Sequence, residues 1–342
     1  HRGGLGMHYT SVPNIMKAIE PLFLDDLKEA YEKAKGNKKK VSELLTRIHN
    51  LKIFDPACGS GNFLIVAYNE LRRLEMQMLK ENGMLALSGI TLDQFYGIEL
   101  DDFAHEIAQL SLWLAEHQMN TEFFKEFART NPTLPLKEAG KIVHANACRI
   151  DWDSVCPKKE GDEVYVLGNP PYLGARNQSE TQKEDLQEVF GKVPGVNSLD
   201  YISAWLLKAS KFNRGINSTC AFVTTNSITQ GEQVAILWPH IFNQRNEIVF
   251  AHKSFLWSNN AKKQAAVFVV IIGLSEFARG TKTLYQSGLA KSVKNISPYL
   301  TENRDIIIHK KSKPPNGIQP LVFGNQAIEG GNLIMSTEEK SI

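Results

Sequence analysis

Residues 51–63 read LKIFDPACGSGNF, and they join a short apolar run, a glycine-containing turn and the start of a helical pattern. The apolar run that ends at Asp55 predicts a strand, and the apolar spacing over 61–81 predicts a helix directly after it. Gly59 and Gly61 allow the turn to be tight and to approach a ligand closely. The stretch has neither the third glycine of a dinucleotide fingerprint nor the Gly-Lys-Ser/Thr of a triphosphate loop. It therefore points to a ligand-binding unit outside those two classes.

Strands and helices continue to alternate along the chain. Strands separated by helices favour a mostly parallel sheet with helices on both faces. The last two strands are joined only by the polar loop Ser254–Lys263, so one of them is expected to be antiparallel. The predicted fold class is α/β, with strands at 51–55, 95–99, 141–146, 163–168, 219–225, 247–252 and 265–273 and helices at 61–81, 102–117, 199–213 and 232–243.

Three regions are expected from the pattern of the sequence. Residues 1–50 form an N-terminal helical segment, in which two helices are broken at Gly36-Asn37. Residues 51–276 carry the main fold, and residues 277–342 become polar and resemble a linker into a further domain. The opening HRGG reads like the interior of a longer polypeptide, so we expect the chain to be part of a larger protein.

Composition places the chain among globular proteins. Hydrophobic residues make up 42% of the 342 residues and charged residues 22%, which excludes disordered and fibrous classes. The longest apolar stretch, Ala265–Leu274, is about half of the roughly 20 residues that a membrane-spanning helix needs, and no signal-peptide pattern is present. We therefore expect no membrane association and a cytoplasmic location.

The cysteines and the charge balance exclude further classes. The four cysteines have no C-x-x-C spacing, so neither a metal site nor a disulfide framework is predicted. The formal net charge of +2 is too small to indicate nucleic-acid binding by itself.

Polar side chains at three predicted strand ends suggest the ligand. Glu99 ends the second strand and is placed to accept hydrogen bonds from the hydroxyls of a ribose. Asn146, after the third strand, offers a polar edge for an adenine ring, although it could simply close a turn. Asp55 would favour an ammonium group. A cofactor with an adenosine and a cationic amino acid end, S-adenosylmethionine, matches this set.

Residues 169–172 read NPPY at the end of the apolar run 164–168. The Asn169 side chain offers a carbonyl acceptor, the two prolines remove backbone donors, and Tyr172 adds a flat stacking face. This inventory suits a planar NH2 group such as N6 of adenine. The same residues are also compatible with an ordinary turn that ends a strand.

In this order, DPACGSGNF, GIE and NPPY resemble the motifs of the γ-class DNA methyltransferases that modify adenine N6. The segment from His8 to Pro13 resembles the motif that these enzymes place before the cofactor domain, and the whole chain resembles the methyltransferase part of MmeI-like type IIG restriction-modification enzymes. The resemblance implies a Rossmann-like class I methyltransferase fold and S-adenosylmethionine as cofactor. It also implies double-stranded DNA as partner, with nuclease and target-recognition domains in the full-length protein.

The resemblance also implies roles for individual residues. The catalytic residues would be Asn169, Pro170, Pro171 and Tyr172. Tyr172 would stack on a flipped base, and Trp257, in the loop before the last strand, would sandwich that base or else anchor the core. The residues implied for cofactor binding are His8, Tyr9, Thr10, Pro13, Asp55, Ala57, Gly59, Gly61, Asn62, Phe63, Glu99, Leu100, Asn146, Ala147, Asn169 and Pro171.

Other functions are compatible with the same motifs. Methyltransferases of guanine N2 in RNA or of protein glutamine also use Asn-Pro-Pro followed by an aromatic residue, because their substrates present the same hydrogens. A non-catalytic DNA-binding module of the same fold is a further alternative. The loop 177–198, predicted to be partly helical, could cover the substrate or be a solvated insertion.

Overall fold

A computed structural model describes residues 11–129, 140–257, 267–276 and 280–310. In these ranges a single sheet of nine strands has helices on both faces. The strands are β1 Lys52–Asp55, β2 Phe95–Glu99, β3 Lys141–His144, β4 Glu163–Gly168, β5 Asn217–Thr225, β6 Glu247–Trp257, β7 Val267–Ser275, β8 Lys282–Gln286 and β9 Leu289–Val293. The helices are α1 Val12–Ile19, α2 Asp25–Ala34, α3 Lys38–His49, α4 Asn62–Glu81, α5 Asp102–Phe127, α6 Trp152–Val155, α7 Glu180–Phe190, α8 Ser203–Phe212 and α9 Gly231–Asn243.

The strand order is β3-β2-β1-β4-β5-β7-β6-β8-β9. Strand β7 runs antiparallel to β5 and β6, which confirms the predicted antiparallel strand. The chain order reverses beside β1, because β2 lies on one side of it and β4 on the other. In open α/β sheets, the crevice at such a reversal is where ligands bind, at the carboxyl ends of the strands. Here Asp55 and Gly168 end the two strands that meet at this point.

Two hydrophobic cores lie on opposite faces of the sheet. Successive side chains of a strand point to opposite faces, so Ile53 belongs to one core and its neighbour Phe54 to the other. The first core contains buried residues of α1 to α5, and the second contains those of α6 to α9. The central strand β4 is buried along its apolar run, as expected for a parallel strand covered on both faces.

The predicted strand number of seven is wrong, because the sheet continues with β8 and β9. These strands lie beyond residue 276, in the segment predicted to be a linker, and β9 is a second antiparallel strand. They form a hairpin through Ser287 and Gly288, whose φ angles of 50° and 80° are both positive. Two positive φ angles are the signature of the tight turn that matches strand twist. Strand β8 then pairs in parallel with β6.

The helix predictions are confirmed in type and differ at their ends. Helix α5 runs ten residues beyond the predicted end, because Met119 and Phe123 continue its buried face four residues apart. The first of the two expected N-terminal helices is continuous through a π-helical stretch, Glu20–Leu24, and Asn37 caps α3 by accepting from the Lys40 amide. Among the helices in the described ranges, none has both the length and the apolar character to span a lipid bilayer.

A compact unit spans residues 1–308 and contains all of these elements. Residues 309–342 form a second unit, of which the structure describes only residues 309 and 310.

Candidate active site

A cavity of about 490 Å³ opens at the carboxyl ends of β1 to β4, where the chain order reverses. Helices α7 and α8 contribute its remaining walls. The structure therefore brings together residues from six separate segments of the sequence. The predicted site residues that line the cavity are Ala57, Gly59, Glu99, Leu100, Asn146, Ala147, Asn169 and Pro171.

The Glu99 carboxylate is held by the two loops beside it. One oxygen accepts from the Gly59 amide at 2.8 Å, and the other accepts from the Asp101 amide at 2.9 Å. A carboxylate oxygen has two lone pairs, so each oxygen keeps acceptor capacity for a ligand. Gly59 has a φ of 54°, a conformation that a side chain would strain. The glycine turn and Glu99 are thus fixed in position relative to each other.

Asp55 ends β1 but is not among the residues that line the cavity. It is 1% exposed, and Oδ1 accepts from the Ala57 amide at 3.0 Å. Burial raises the pKa of Asp55 to about 8, the Ala57 amide opposes this, and the charge of Glu99 adds to it. Burial therefore favours the neutral form of this carboxyl group.

Asn169 is the first residue after β4, and its side-chain oxygen is buried. That oxygen has no hydrogen-bond partner among the residues the structure describes. A buried acceptor without a donor is unfavourable by roughly 1–3 kcal/mol, so such groups in native proteins call for an explanation such as a ligand. Because Asn169 lines the cavity, a ligand donor entering the cavity could satisfy it.

The aromatic residue of the turn faces a different environment. Tyr172 is partly buried against the second core and does not line the cavity. Burial, and then the charge of Asp200, raise the pKa of its hydroxyl. Pro170 is buried. The turn therefore divides the space, with Asn169 and Pro171 on the cavity side and the Tyr172 ring outside it.

Asp200 holds the segment that follows the turn. Its Oδ1 accepts from the Leu173 amide at 2.9 Å, and its Oδ2 accepts from the hydroxyls of Thr225 and Ser227, each at 3.2 Å. Leu173 follows β4, Thr225 is the last residue of β5, and Ser227 comes two residues later. A single buried carboxylate thus ties the segment after the Asn169–Tyr172 turn to the neighbouring strand end.

Part of the cavity wall was not foreseen. Trp205 donates from its indole nitrogen to the Pro56 carbonyl at 3.1 Å, which joins α8 to the glycine turn. The start of α7 has a capping box between Ser179 and Gln182, a sequence signature that could have placed this helix at residue 180. The lining residues that are not among the predicted catalytic and cofactor-binding residues are Pro56, Ile98, Ala145, Ser179, Thr181, Gln182, Asp185, Tyr201 and Trp205.

Several predicted residues lie away from the cavity lining. Gly61 and Asn62 lie at the start of α4, and Phe63 is buried in the first core. Pro13 is exposed at the start of α1, while His8, Tyr9 and Thr10 lie outside the described residues.

The predicted loop position of Trp257 is wrong, because it is the last residue of β6. Its ring is 3% exposed and lies 6.0 Å from the Phe255 ring, centroid to centroid. Strand β6 is longer than expected, since residues after 252 keep pairing with β7 across a register shift. This placement corresponds to the core-anchoring alternative for Trp257.

Known proteins are similar to this chain in sequence and architecture. Residues 31–286, about three quarters of the chain, match the family described as MmeI, DNA-methyltransferase domain. DNA methyltransferase A of Bacillus subtilis (strain 168) is 50% identical over 345 residues, which cover 99% of this chain and 39% of that protein. A putative type II restriction enzyme and methyltransferase of Methanocaldococcus jannaschii is 38% identical over 102 residues, covering 27% of this chain and 8% of that protein.

The solved structure of the type IIL restriction-modification enzyme MmeI in complex with DNA superposes with a TM-score of 0.90. It is 41% identical and matches 99% of this chain and 47% of that one. The chain thus spans less than half the length of the relatives that it matches along its whole length.

Proposed function

The chain belongs to the family of MmeI DNA-methyltransferase domains, and on that premise we propose that it methylates adenine N6 in double-stranded DNA with S-adenosylmethionine as methyl donor. The observation that carries the proposal is the buried, unpartnered oxygen of Asn169 at the wall of the cavity. An exocyclic amino group is the kind of donor that this oxygen lacks.

The residues of the cavity fit the proposed cofactor. Glu99 would accept hydrogen bonds from the ribose hydroxyls, since both of its oxygens keep free lone pairs beside the cavity. Asn146 and Ala147 would border the adenine ring, and Gly59 would let the backbone pass close to the ligand. Bound there, S-adenosylmethionine would supply the methyl group as an activated sulfonium.

Asp55 would act on the charge of the cofactor. In the unliganded protein, burial favours its neutral form. A cationic ligand nearby would favour the carboxylate, so cofactor binding would be accompanied by loss of a proton from Asp55.

Methyl transfer to an amine depends mainly on alignment. The lone pair of adenine N6 is delocalised into the ring and is a poor nucleophile. The Asn169 side-chain oxygen and the Pro170 carbonyl would accept the two N6 hydrogens and orient the nitrogen toward the methyl group. Tyr172 would stack on the ring from outside the cofactor cavity. The proton can leave after attack, so these residues need not include a strong base.

The target nitrogen lies inside a duplex, so the base must rotate out of the helix before it can reach Asn169. Unstacking costs a few kcal/mol, and stacking on Tyr172 would recover about 1–3 kcal/mol of it. The choice of adenine in a sequence would fall to a target-recognition domain, and a nuclease domain would complete the restriction-modification protein. Both are proposals for the full-length protein, of which this chain spans part.

Incubation with labelled S-adenosylmethionine and separate duplex DNA, RNA and protein substrates tests the proposal. We expect label in DNA alone, recovered as N6-methyladenine after digestion to nucleosides. Label in guanine N2 of RNA or in protein glutamine would contradict DNA as the substrate and would support the corresponding alternative. Absence of label from all three, with DNA still bound, would identify a non-catalytic DNA-binding module.

A further inference from the structure

We propose that Asp185 is a positioning residue that fixes the orientation of Asn146 and thereby sets the preference of the cavity for an adenine ring. The inference rests on the proposed use of an adenosine cofactor. It concerns a residue of α7 that lies 39 positions from Asn146 in the sequence.

The Asp185 carboxylate is enclosed by donors. Its side chain is 2% exposed, and Oδ1 accepts from Nε of Arg149 at 2.7 Å while Oδ2 accepts from the Tyr201 hydroxyl at 2.7 Å. The Asn146 amide nitrogen lies 3.2 Å from Oδ1 and 3.1 Å from Oδ2. A buried carboxylate is tolerated when it is paired and hydrogen-bonded, as it is here. Two separate segments, the residues after β3 and Tyr201 before α8, thus converge on one side chain of α7.

This arrangement determines which way the Asn146 amide points. Its oxygen accepts from the Cys148 amide at 2.9 Å, and its nitrogen donates to Asp185, which as a carboxylate can only accept. Both partners therefore require the same orientation. A reversed amide would place oxygen against oxygen at Asp185 and donor against donor at Cys148. The polar edge that Asn146 presents to the cavity is fixed by Asp185.

The same contact sets the position of α7. Residues Ser179, Thr181 and Gln182, in and before its first turn, line the cavity. Asp185 follows on the same helix and is tied to the residues after β3 and before α8. If α7 moved away, the side-chain donors of Asn146 and Tyr201, which are largely buried, would lose the Asp185 carboxylate as their acceptor. Asp185 thus links the wall formed by α7 to the residue expected beside the adenine.

The test measures the affinity of the whole chain for S-adenosylhomocysteine and for its inosine counterpart, which has a carbonyl oxygen in place of the adenine amino group. We expect the wild-type protein to prefer the adenine form. Asp185→Asn places an amide nitrogen, which is a donor, among the donors of Arg149, Tyr201 and Asn146. The side-chain amide of Asn146 is then free to reverse its orientation. We expect this substitution to weaken binding of the adenine form about tenfold and to reduce the preference ratio by a similar factor.

Two further variants separate positioning from folding. Glu184→Gln, on the same helix at a 69% exposed side chain that also faces Arg149, should leave both affinities within about twofold, the change expected at a solvated site. The double variant Asn146→Asp/Asp185→Asn exchanges donor and acceptor across the contact and should restore most of the preference ratio. A merely structural role for Asp185 would lower both affinities equally and leave the preference ratio of Asp185→Asn unchanged.

The outcomes distinguish this inference from the proposed function. Tight adenine-selective binding by the wild type, with an unchanged ratio in Asp185→Asn, would overturn the role of Asp185 alone. Failure of the wild type to bind the adenosine ligand would overturn the proposed cofactor together with the inference. Should Asp185→Asn not fold, Tyr201→Phe removes only one donor and should shift the ratio in the same direction by a smaller factor; an unchanged ratio in that variant would overturn the inference.

Discussion

A β-carbon added to Gly168 would lie 2.5 Å from Oδ1 of Asp55. Gly168 ends β4 with a φ of 151°, and Asp55 ends β1 beside it. The absence of a side chain at Gly168 is therefore what leaves room for a buried carboxyl group beside the residue that precedes Asn169. This close approach accounts for the glycine in a strand that is otherwise apolar.

Gly168→Ala should destabilise the protein by about 3 kcal/mol, because it adds backbone strain and displaces Asp55. Denaturant unfolding measures the loss. Gly174→Ala is the matched control, since no atom lies within 4 Å of its added carbon and its φ of −60° suits any residue. Equal stability of the two variants would contradict the packing described between Gly168 and Asp55.

Asp55→Asn should stabilise the unliganded protein increasingly as pH rises. The folded-state pKa of about 8 lies above the unfolded value near 3.8, so the wild type loses stability as pH rises through this window. From pH 6 to pH 8.5 the variant should gain about 2–3 kcal/mol relative to the wild type. Unfolding at both pH values provides the measurement. A constant difference, like that expected for the exposed Glu184→Gln, would show that Asp55 is ionised in the folded protein.

Asn169→Ala should lower methyl transfer to DNA by at least about 100-fold, the typical effect of removing one positioned group in an active site. Cofactor affinity should change little, because the lost oxygen is assigned to the target amine. Single-turnover transfer and calorimetric titration with S-adenosylhomocysteine measure the two effects. Retained transfer would remove Asn169 from the catalytic assignment.

Tyr172→Ala should weaken the complex with methylatable duplex by about 1–3 kcal/mol through lost stacking, whereas Tyr172→Phe should be close to wild type. This expectation has two reasons. Among the residues that the structure describes, none forms a hydrogen bond with the Tyr172 hydroxyl, and a phenylalanine ring would keep the contact with the second core. Fluorescence of 2-aminopurine at the target position reports whether the base leaves the duplex. A loss in Tyr172→Phe as large as that in Tyr172→Ala would assign the function to the hydroxyl instead.

The central part of the fold could be predicted from sequence because its strands are continuous apolar runs. The stretch 164–168 reads VYVLG and is buried as β4, and the strands that carry Asp55 and Glu99 were found within one residue of their ends. Strands β8 and β9 were missed because they are short and polar. Their Ser287-Gly288 turn is a hairpin signal that was present in the sequence.

Site residues at strand ends could be predicted from the sequence. Site residues that reach the cavity only through tertiary packing could not. Glu99 ends a strand, Asn169 follows one, and both reach the cavity as expected. Asp185 and Trp205 come from α7 and α8, and Tyr201 lies just before α8. The arrangement of these elements around the cavity is set by packing, which no local pattern encodes. Trp257 was predicted to lie in a loop and is instead buried, because β6 extends as far as this residue.

The hairpin β8–β9 has a practical consequence for anyone who wishes to produce a shorter version of this protein. A fragment that stopped at residue 276 would uncover one side of β6 and leave Glu247 without Lys282, which lies 2.7 Å from it. An uncovered strand edge is a template for pairing with another molecule, so such a fragment should self-associate. Ending the fragment after residue 308 retains the natural cover of β6 and the full extent of the sheet.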